Sequence, residues 1–236
     1  MTGISINPSI MRPIADFTLF LAPLIALIMY FYFRKRNGSG FSRLLIYSFI
    51  AGGAGVVLLL AAEAISAKLG LSELGSLKRI LFFSFITIGG SAEFGKFIIF
   101  RYFIVEKKEI RKPIDAITFS IMTALGFATV ALLFFAFNLF NIQIHFPSTL
   151  YAFIFVPANI LFSVIMGFFV GMAKFLNARI VYSLTGLFGA LFFHGIFNFC
   201  LLTSDFKLLS LFSFGSTLIV FILGLKAAYT VPEPSN

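Results

Sequence analysis

Four polar residues stand out because they lie inside apolar segments: Glu93, Lys96, His194 and Asn198. The first two fall in segment 80–104 and the last two in segment 180–202, and each segment is long enough to cross a bilayer. A charge at the bilayer centre costs roughly 2.5–3.5 kcal/mol on insertion scales, so such residues are functional-site candidates. A carboxyl, an ammonium, an imidazole and an amide can together move protons and stabilise charge.

The positions of Glu93 and His194 along their segments place both near the bilayer middle. Glu93 lies about 13 residues, or roughly 20 Å, from the start of its segment, and His194 about 14 residues from the start of its own. Asn198 follows His194 by one helical turn and shares its face. If the two helices are neighbours, the carboxyl and the imidazole meet within the membrane.

Structural interpretations of these residues stay open beside the functional one. Glu93 and Lys96 have the i,i+3 spacing at which a helical ion pair neutralises itself. A buried histidine can equally be a polar group whose hydrogen bonds are satisfied. Asn198 favours the functional interpretation, because it adds a donor and an acceptor beside the imidazole.

The composition is typical of a polytopic membrane protein. Hydrophobic residues make up 60% of the 236 and charged residues 11%, and the mean hydropathy is +1.04. The net charge of +9 comes from basic residues between apolar segments, which indicates topology in a bilayer and not nucleic-acid binding. One cysteine and two histidines are too few for a Cys/His zinc cluster. We therefore predict neither a metal site nor a redox cofactor.

The chain is predicted to be a single all-α membrane domain, 1–236, a bundle of about seven spanning helices. No polar linker or repeat divides it. The segments are 14–33, 44–66, 80–104, 114–140, 151–171, 180–202 and 208–230.

The basic residues predict the orientation. The connections after the first, third and fifth segments hold ten lysines and arginines, against five on the other side. By the positive-inside rule, the N-terminus lies outside the cell membrane and the C-terminus in the cytoplasm.

Several motifs occur in an order that resembles the PrsW-type intramembrane proteases, which are related to the CAAX-processing and bacteriocin-immunity membrane proteases. The resemblance covers roughly residues 80–202. The motifs are Ser91-Ala92-Glu93-Phe94-Gly95-Lys96, Asp115, Gly126-Phe127-Ala128, Val156-Pro157-Ala158-Asn159 with Gly167 and Gly171, and His194-Gly195-Ile196-Phe197-Asn198.

The chain departs from the family pattern at a few positions. Ala92 replaces the first acid of Glu-Glu-x-x-Lys, Ala131 and Leu132 replace an acid and an amide, and Asn159 stands where the family has a histidine. The resemblance implies peptide-bond hydrolysis within the membrane. It makes Glu93 the base, His194 the acid or oxyanion partner and Asn198 an oxyanion donor, with Lys96 and Asn159 in support.

Three functions follow as hypotheses. The first is a PrsW-like endopeptidase acting on a membrane-embedded or membrane-proximal peptide. The second is an inactive homologue that binds a membrane partner through the same cavity, as the replaced acids allow. The third is a small proton-coupled transporter using Glu93, Lys96 and His194 as a relay, against which stands the absence of evident inverted repeats.

The orientation is tested by fusing reporters after Asn236. A cytoplasm-active reporter is expected to work there and a periplasm-active one to be silent, because the basic connections hold the C-terminus inside. The opposite pattern would reverse the predicted topology.

Overall fold

The computed structural model describes residues 8–137, 148–176 and 178–230, with side chains from 19 in the first range and from 154 in the second. Every regular element in these ranges is helical. The helices are α1 Pro8–Arg36, α2 Ser39–Ala54, α3 Val56–Lys68, α4 Leu77–Phe82, α5 Ser91–Ile98, α6 Pro113–Ala136, α7 Ser148–Phe175, α8 Arg179–Leu202 and α9 Phe206–Tyr229. The predicted all-α class is confirmed.

Six spans within the described residues are long and apolar enough to cross a membrane, so this is a multi-pass membrane protein. They match the second to seventh predicted segments: Ser39–Lys68, Leu77–Ile104, Pro113–Ala136, Ile154–Phe175, Arg179–Leu202 and Phe206–Tyr229. The first predicted segment, 14–33, lies within α1. Three basic residues, Arg34, Lys35 and Arg36, end that helix, and it is not among the six spans of the described residues.

The span Leu77–Ile104 is not a uniform α-helix. Two π-helical stretches, Phe83–Gly90 and Ile99–Ile104, flank α5, which carries Glu93 and Lys96. π-Helical turns are rare and are frequently found at functional sites, and their wider turn changes which side chains share a face. Glu93 and Lys96 therefore lie on a short α-helix, α5, between two π-helical stretches.

Helices α2 and α6 pack backbone against backbone. A Cβ atom added at Gly126 would overlap the carbonyl oxygen of Phe49, and one at Gly52 would overlap the carbonyl oxygen of Thr123. Small residues let membrane helices approach this closely, and dispersion contacts then hold them together. This contact sets the position of α6, which packs beside Lys96 through Phe127.

The three basic connections meet at one end of the bundle. Lys174 Nζ donates hydrogen bonds to the carbonyl oxygens of Lys107 (2.7 Å) and Ile110 (2.9 Å). The Glu109 carboxyl lies beside the first turn of α2, 3.1 Å from the position of a Cβ at Gly40. The connections that carry the basic excess thus share one side of the membrane-spanning bundle.

The α2–α6 contact predicts the effect of Gly126→Ala. The added methyl group is expected to cost about 1–3 kcal/mol of overpacking, because its nearest neighbour is backbone that cannot turn away. The matched control is Gly215→Ala in α9, where a Cβ meets nothing within 4 Å. There helix propensity alone predicts no loss or a small gain.

Both variants are compared by heating a fluorescent-protein fusion in detergent and measuring the surviving monodisperse peak on size exclusion. Equal midpoints for the two variants would contradict the close packing of α2 on α6.

Candidate active site

Glu93 and His194 are in hydrogen-bond contact inside the bundle. The Glu93 Oε1 atom lies 2.6 Å from His194 Nδ1, and the two side chains are 0% and 1% exposed. The backbones are close nearby, since a Cβ at Gly89 would lie 3.1 Å from the amide nitrogen of Gly195. Glycine at both positions lets this span and α8 approach until a carboxyl reaches an imidazole.

Lys96 ties the pair to a third helix. Its Nζ atom lies 2.6 Å from Glu93 Oε1 and 2.8 Å from Asn159 Oδ1 on α7. It also lies 5.0 Å from the centre of the Phe127 ring on α6, a distance at which a cation is attracted to an aromatic face. Asn159 is held in turn, because its Nδ2 donates to the carbonyl oxygen of Phe155 at 2.9 Å.

The hydrogen-bond pattern identifies the imidazole tautomer. The Lys96 ammonium beside Glu93 favours its ionised form, and an ionised carboxylate only accepts hydrogen bonds. His194 Nδ1 must therefore donate to it. In a neutral ring the lone pair is then on Nε2, which is buried and has no hydrogen-bond partner. A free lone pair on an imidazole held by a carboxylate can accept a proton.

Further polar atoms near this pair lack partners. Glu93 Oε2 is buried and unbonded, as are both side-chain heteroatoms of Asn198, one turn after His194 on α8. Buried polar atoms are almost always hydrogen-bonded, and the exceptions concentrate at water, ion and catalytic sites. A water molecule and a peptide group could form hydrogen bonds with these unsatisfied atoms.

Phe162 packs against the face of the His194 imidazole ring. Its ring stacks on His194 with centroids 4.7 Å apart and meets Phe197 edge-on at 5.8 Å. Both phenylalanines also line an apolar groove of about 180 Å³ between α7, α8 and α9. Phe162 thus contacts both the groove and the His194 ring.

The structure joins most of the residues that the sequence singled out. Glu93, Lys96, His194 and Asn159 form one hydrogen-bonded chain, whereas Asn198 lies buried on the same helix as His194 with no bond to it. Sequence reasoning missed the Phe162 and Phe127 contacts. Phe127 stands in the quoted Gly126-Phe127-Ala128 motif, but with 35 phenylalanines in the chain nothing in the sequence marked Phe162 or indicated that the Phe127 ring lies beside Lys96.

Comparison with known proteins identifies relatives of this chain. Residues 41–225 match the family described as "PrsW family intramembrane metalloprotease", a wider region than the motifs indicated. The chain is 28% identical over 188 residues to "Protease PrsW" of Geobacillus kaustophilus, covering 78% of this chain and 79% of that protein. It is 26% identical over 161 residues to "Protease PrsW" of Clostridioides difficile, covering 67% of each. No solved structure matches.

The family description implies a metal ion, which the side chains of this centre would have to bind. Catalytic zinc sites use three protein ligands and a water. In the part of the chain that the structure describes, no three His, Cys, Asp or Glu residues come together. His194 Nε2 and Glu93 Oε2 are both without a partner and could supply two ligands, but the Glu93 carboxylate is already paired with the Lys96 ammonium through Oε1, and His145 lies outside the described residues. The residues present do not fit a catalytic metal.

The buried ion pair predicts a coupled effect on stability. Lys96→Met leaves a buried carboxylate without its ammonium and is expected to cost about 3–5 kcal/mol, because breaking a buried pair leaves an uncompensated charge. The double variant Glu93→Gln with Lys96→Met removes both charges and should recover much of this loss. Thermal size exclusion of the single and double variants measures the coupling. Strictly additive losses would show that the two charges do not interact.

Proposed function

The chain belongs to the PrsW family of intramembrane proteases, and we propose that its buried Glu93–His194 pair hydrolyses a peptide bond within the membrane. The observation that carries the proposal is the 2.6 Å contact between Glu93 Oε1 and His194 Nδ1, which leaves Nε2 unpartnered. A carboxylate that holds an imidazole and fixes its tautomer is the arrangement by which hydrolases activate a nucleophile.

The pair supports a metal-free route. A water molecule gives a proton to His194 Nε2 while its oxygen attacks the peptide carbonyl carbon. The oxyanion that forms accepts a hydrogen bond from Asn198 Nδ2, which has no other acceptor. His194 then returns the proton to the amide nitrogen, the C–N bond breaks, and a carboxylic acid and an amine form, between which one proton passes to give the carboxylate and the ammonium that leave.

This route assigns the proton-accepting role to His194 and the holding role to Glu93. The resemblance implied instead that Glu93 is the base. Two hydrogen bonds already occupy Glu93 Oε1, and its negative charge is balanced by the Lys96 ammonium. The negative carboxylate then stabilises the imidazolium that forms on proton transfer.

The substrate in this proposal is a membrane-embedded or membrane-proximal peptide. The site is closed to bulk water, since Glu93, His194 and Asn198 are all buried. Phe162 lines the apolar groove between α7, α8 and α9 and also stacks on the His194 ring. This position supports approach of an apolar peptide through the groove, with rotation of Phe162 exposing the imidazole.

We place the protein in the cell membrane with its N-terminus outside and its C-terminus in the cytoplasm. The meeting of the basic connections through Lys174 and Lys107 supports one shared cytoplasmic side. In this orientation α5 and α8 cross with Glu93 and His194 at mid-depth.

The test is cleavage of single-span reporter proteins with apolar transmembrane segments, reconstituted with the purified chain in phosphatidylethanolamine and phosphatidylglycerol liposomes. Glu93→Gln and His194→Gln are each expected to lower cleavage at least ~100-fold, because proton transfer by a positioned side chain contributes about 10²–10⁴-fold. The matched control is Glu73→Gln, whose carboxyl is exposed and should leave cleavage unchanged.

Ala92→Glu restores the acid that the resemblance assigns to this position and is expected to raise cleavage. Equal cleavage by wild type and Glu93→Gln would contradict the catalytic assignment. Cleavage only by chains carrying Ala92→Glu with Ala131→Glu would favour the inactive homologue, and no cleavage by any variant would contradict a peptidase.

A further inference from the structure

We infer that the buried centre excludes divalent metal ions and that the Lys96 ammonium is its fixed positive charge. The inference separates this chain from the metalloprotease description of its family. Metal content tests it directly and does not depend on cleavage, whereas the catalytic consequence rests on the proposed function.

The charge balance of the centre is the first argument. Within the described residues, Glu93 is the one carboxylate hydrogen-bonded to the cluster, and the Lys96 ammonium 2.6 Å away already neutralises it. The two side chains are 0% and 3% exposed. A divalent ion would add two charges with no carboxylate left to balance them. Unbalanced charge in a water-excluded place is strongly unfavourable.

The second argument against a metal ion is the position of the Lys96 ammonium. It lies between two oxygen donors, Glu93 Oε1 at 2.6 Å and Asn159 Oδ1 at 2.8 Å. A metal bound to Glu93 at about 2.0–2.2 Å, through Oε1 or through the unpartnered Oε2, would lie within roughly 7 Å of the ammonium. The two cations would repel each other where little solvent screens them.

The two positions at which the resemblance expects further acids offer no carboxylate. Ala92 precedes Glu93, and Ala131 lies one turn after Phe127, whose ring is 5.0 Å from Lys96 Nζ. Both alanines are buried and apolar. The acids that the resemblance assigns to these positions are therefore replaced by methyl groups.

The Lys96 ammonium has a chemical use in a metal-free site. It favours the ionised form of Glu93, which holds the His194 tautomer with a free Nε2 atom. Its positive charge also favours the negative charge that develops when a peptide carbonyl is attacked, which is one role of the metal in a metallopeptidase.

The first experiment measures metal in the full-length protein, purified in detergent without chelators from cells grown with added zinc, cobalt and manganese. Inductively coupled plasma mass spectrometry is expected to find less than about 0.1 metal ion per chain. About one ion per chain in wild type, lost in His194→Ala, would overturn the inference.

The second experiment replaces the ammonium with a ligand. Lys96→His removes the fixed charge and places an imidazole beside Glu93 and His194, so three metal-binding side chains share the centre. Zinc per chain is expected to rise at least fivefold over wild type. The matched control, Lys226→His, adds one imidazole at an exposed position of α9 and should show no such rise.

The outcomes separate the inference from the proposed function. A metal-free wild type that cleaves the reporters, unaffected by 1,10-phenanthroline, supports both. A metal-free wild type that cleaves nothing contradicts the proposed function and leaves the inference standing. Lys96→His with no more zinc than Lys226→His would contradict the role given to Lys96 in excluding metal.

Discussion

The burial of the Glu93 carboxylate is the constraint on which the rest of the structure depends. A charge within an apolar bundle must be met by partners, because no water is present to solvate it. Here the partners come from three spans. Lys96 lies on the same helix as Glu93, His194 lies on α8, and Asn159 on α7 joins through its hydrogen bond with Lys96. Satisfying one carboxylate thus specifies which helices are neighbours and at what depth they cross.

The packing of the helices supplies the precision that this polar network needs. In lipid the hydrophobic effect does not drive helices together, so backbone contact and dispersion decide their spacing. The glycine contact between Gly89 and Gly195 holds two backbones close beside His194. A carboxyl and an imidazole at 2.6 Å require that spacing to be set within a few tenths of an ångström. Polar pairing selects the neighbours, and the small residues set the distance.

Much of this was predictable from the sequence, for a physical reason. An apolar run of about 20 residues is typical of a helix that spans the bilayer, so the positions of the helices could be predicted directly. The ionisable residues within these runs marked the site around Glu93 and His194. The π-helical stretches around α5 were not predictable, because their side chains are as apolar as those of an α-helical span. The Phe162 contact was equally hidden, since stacking on His194 depends on how α7 faces α8 and not on residue type.

The closed state of the centre bears on how such a site can work. With Lys96 and His194 both bonded to Glu93, the resting arrangement is stabilised, and a peptide must bring enough binding energy to move what covers it. Phe162 can move without breaking a hydrogen bond of the network, because it stacks on the imidazole without bonding to it. The polar atoms left unpaired, His194 Nε2 and the Asn198 amide, already bear a desolvation cost in this state. Engaging them with water and a peptide group removes that cost, so the unsatisfied atoms favour substrate entry while the ion pair keeps the ring oriented.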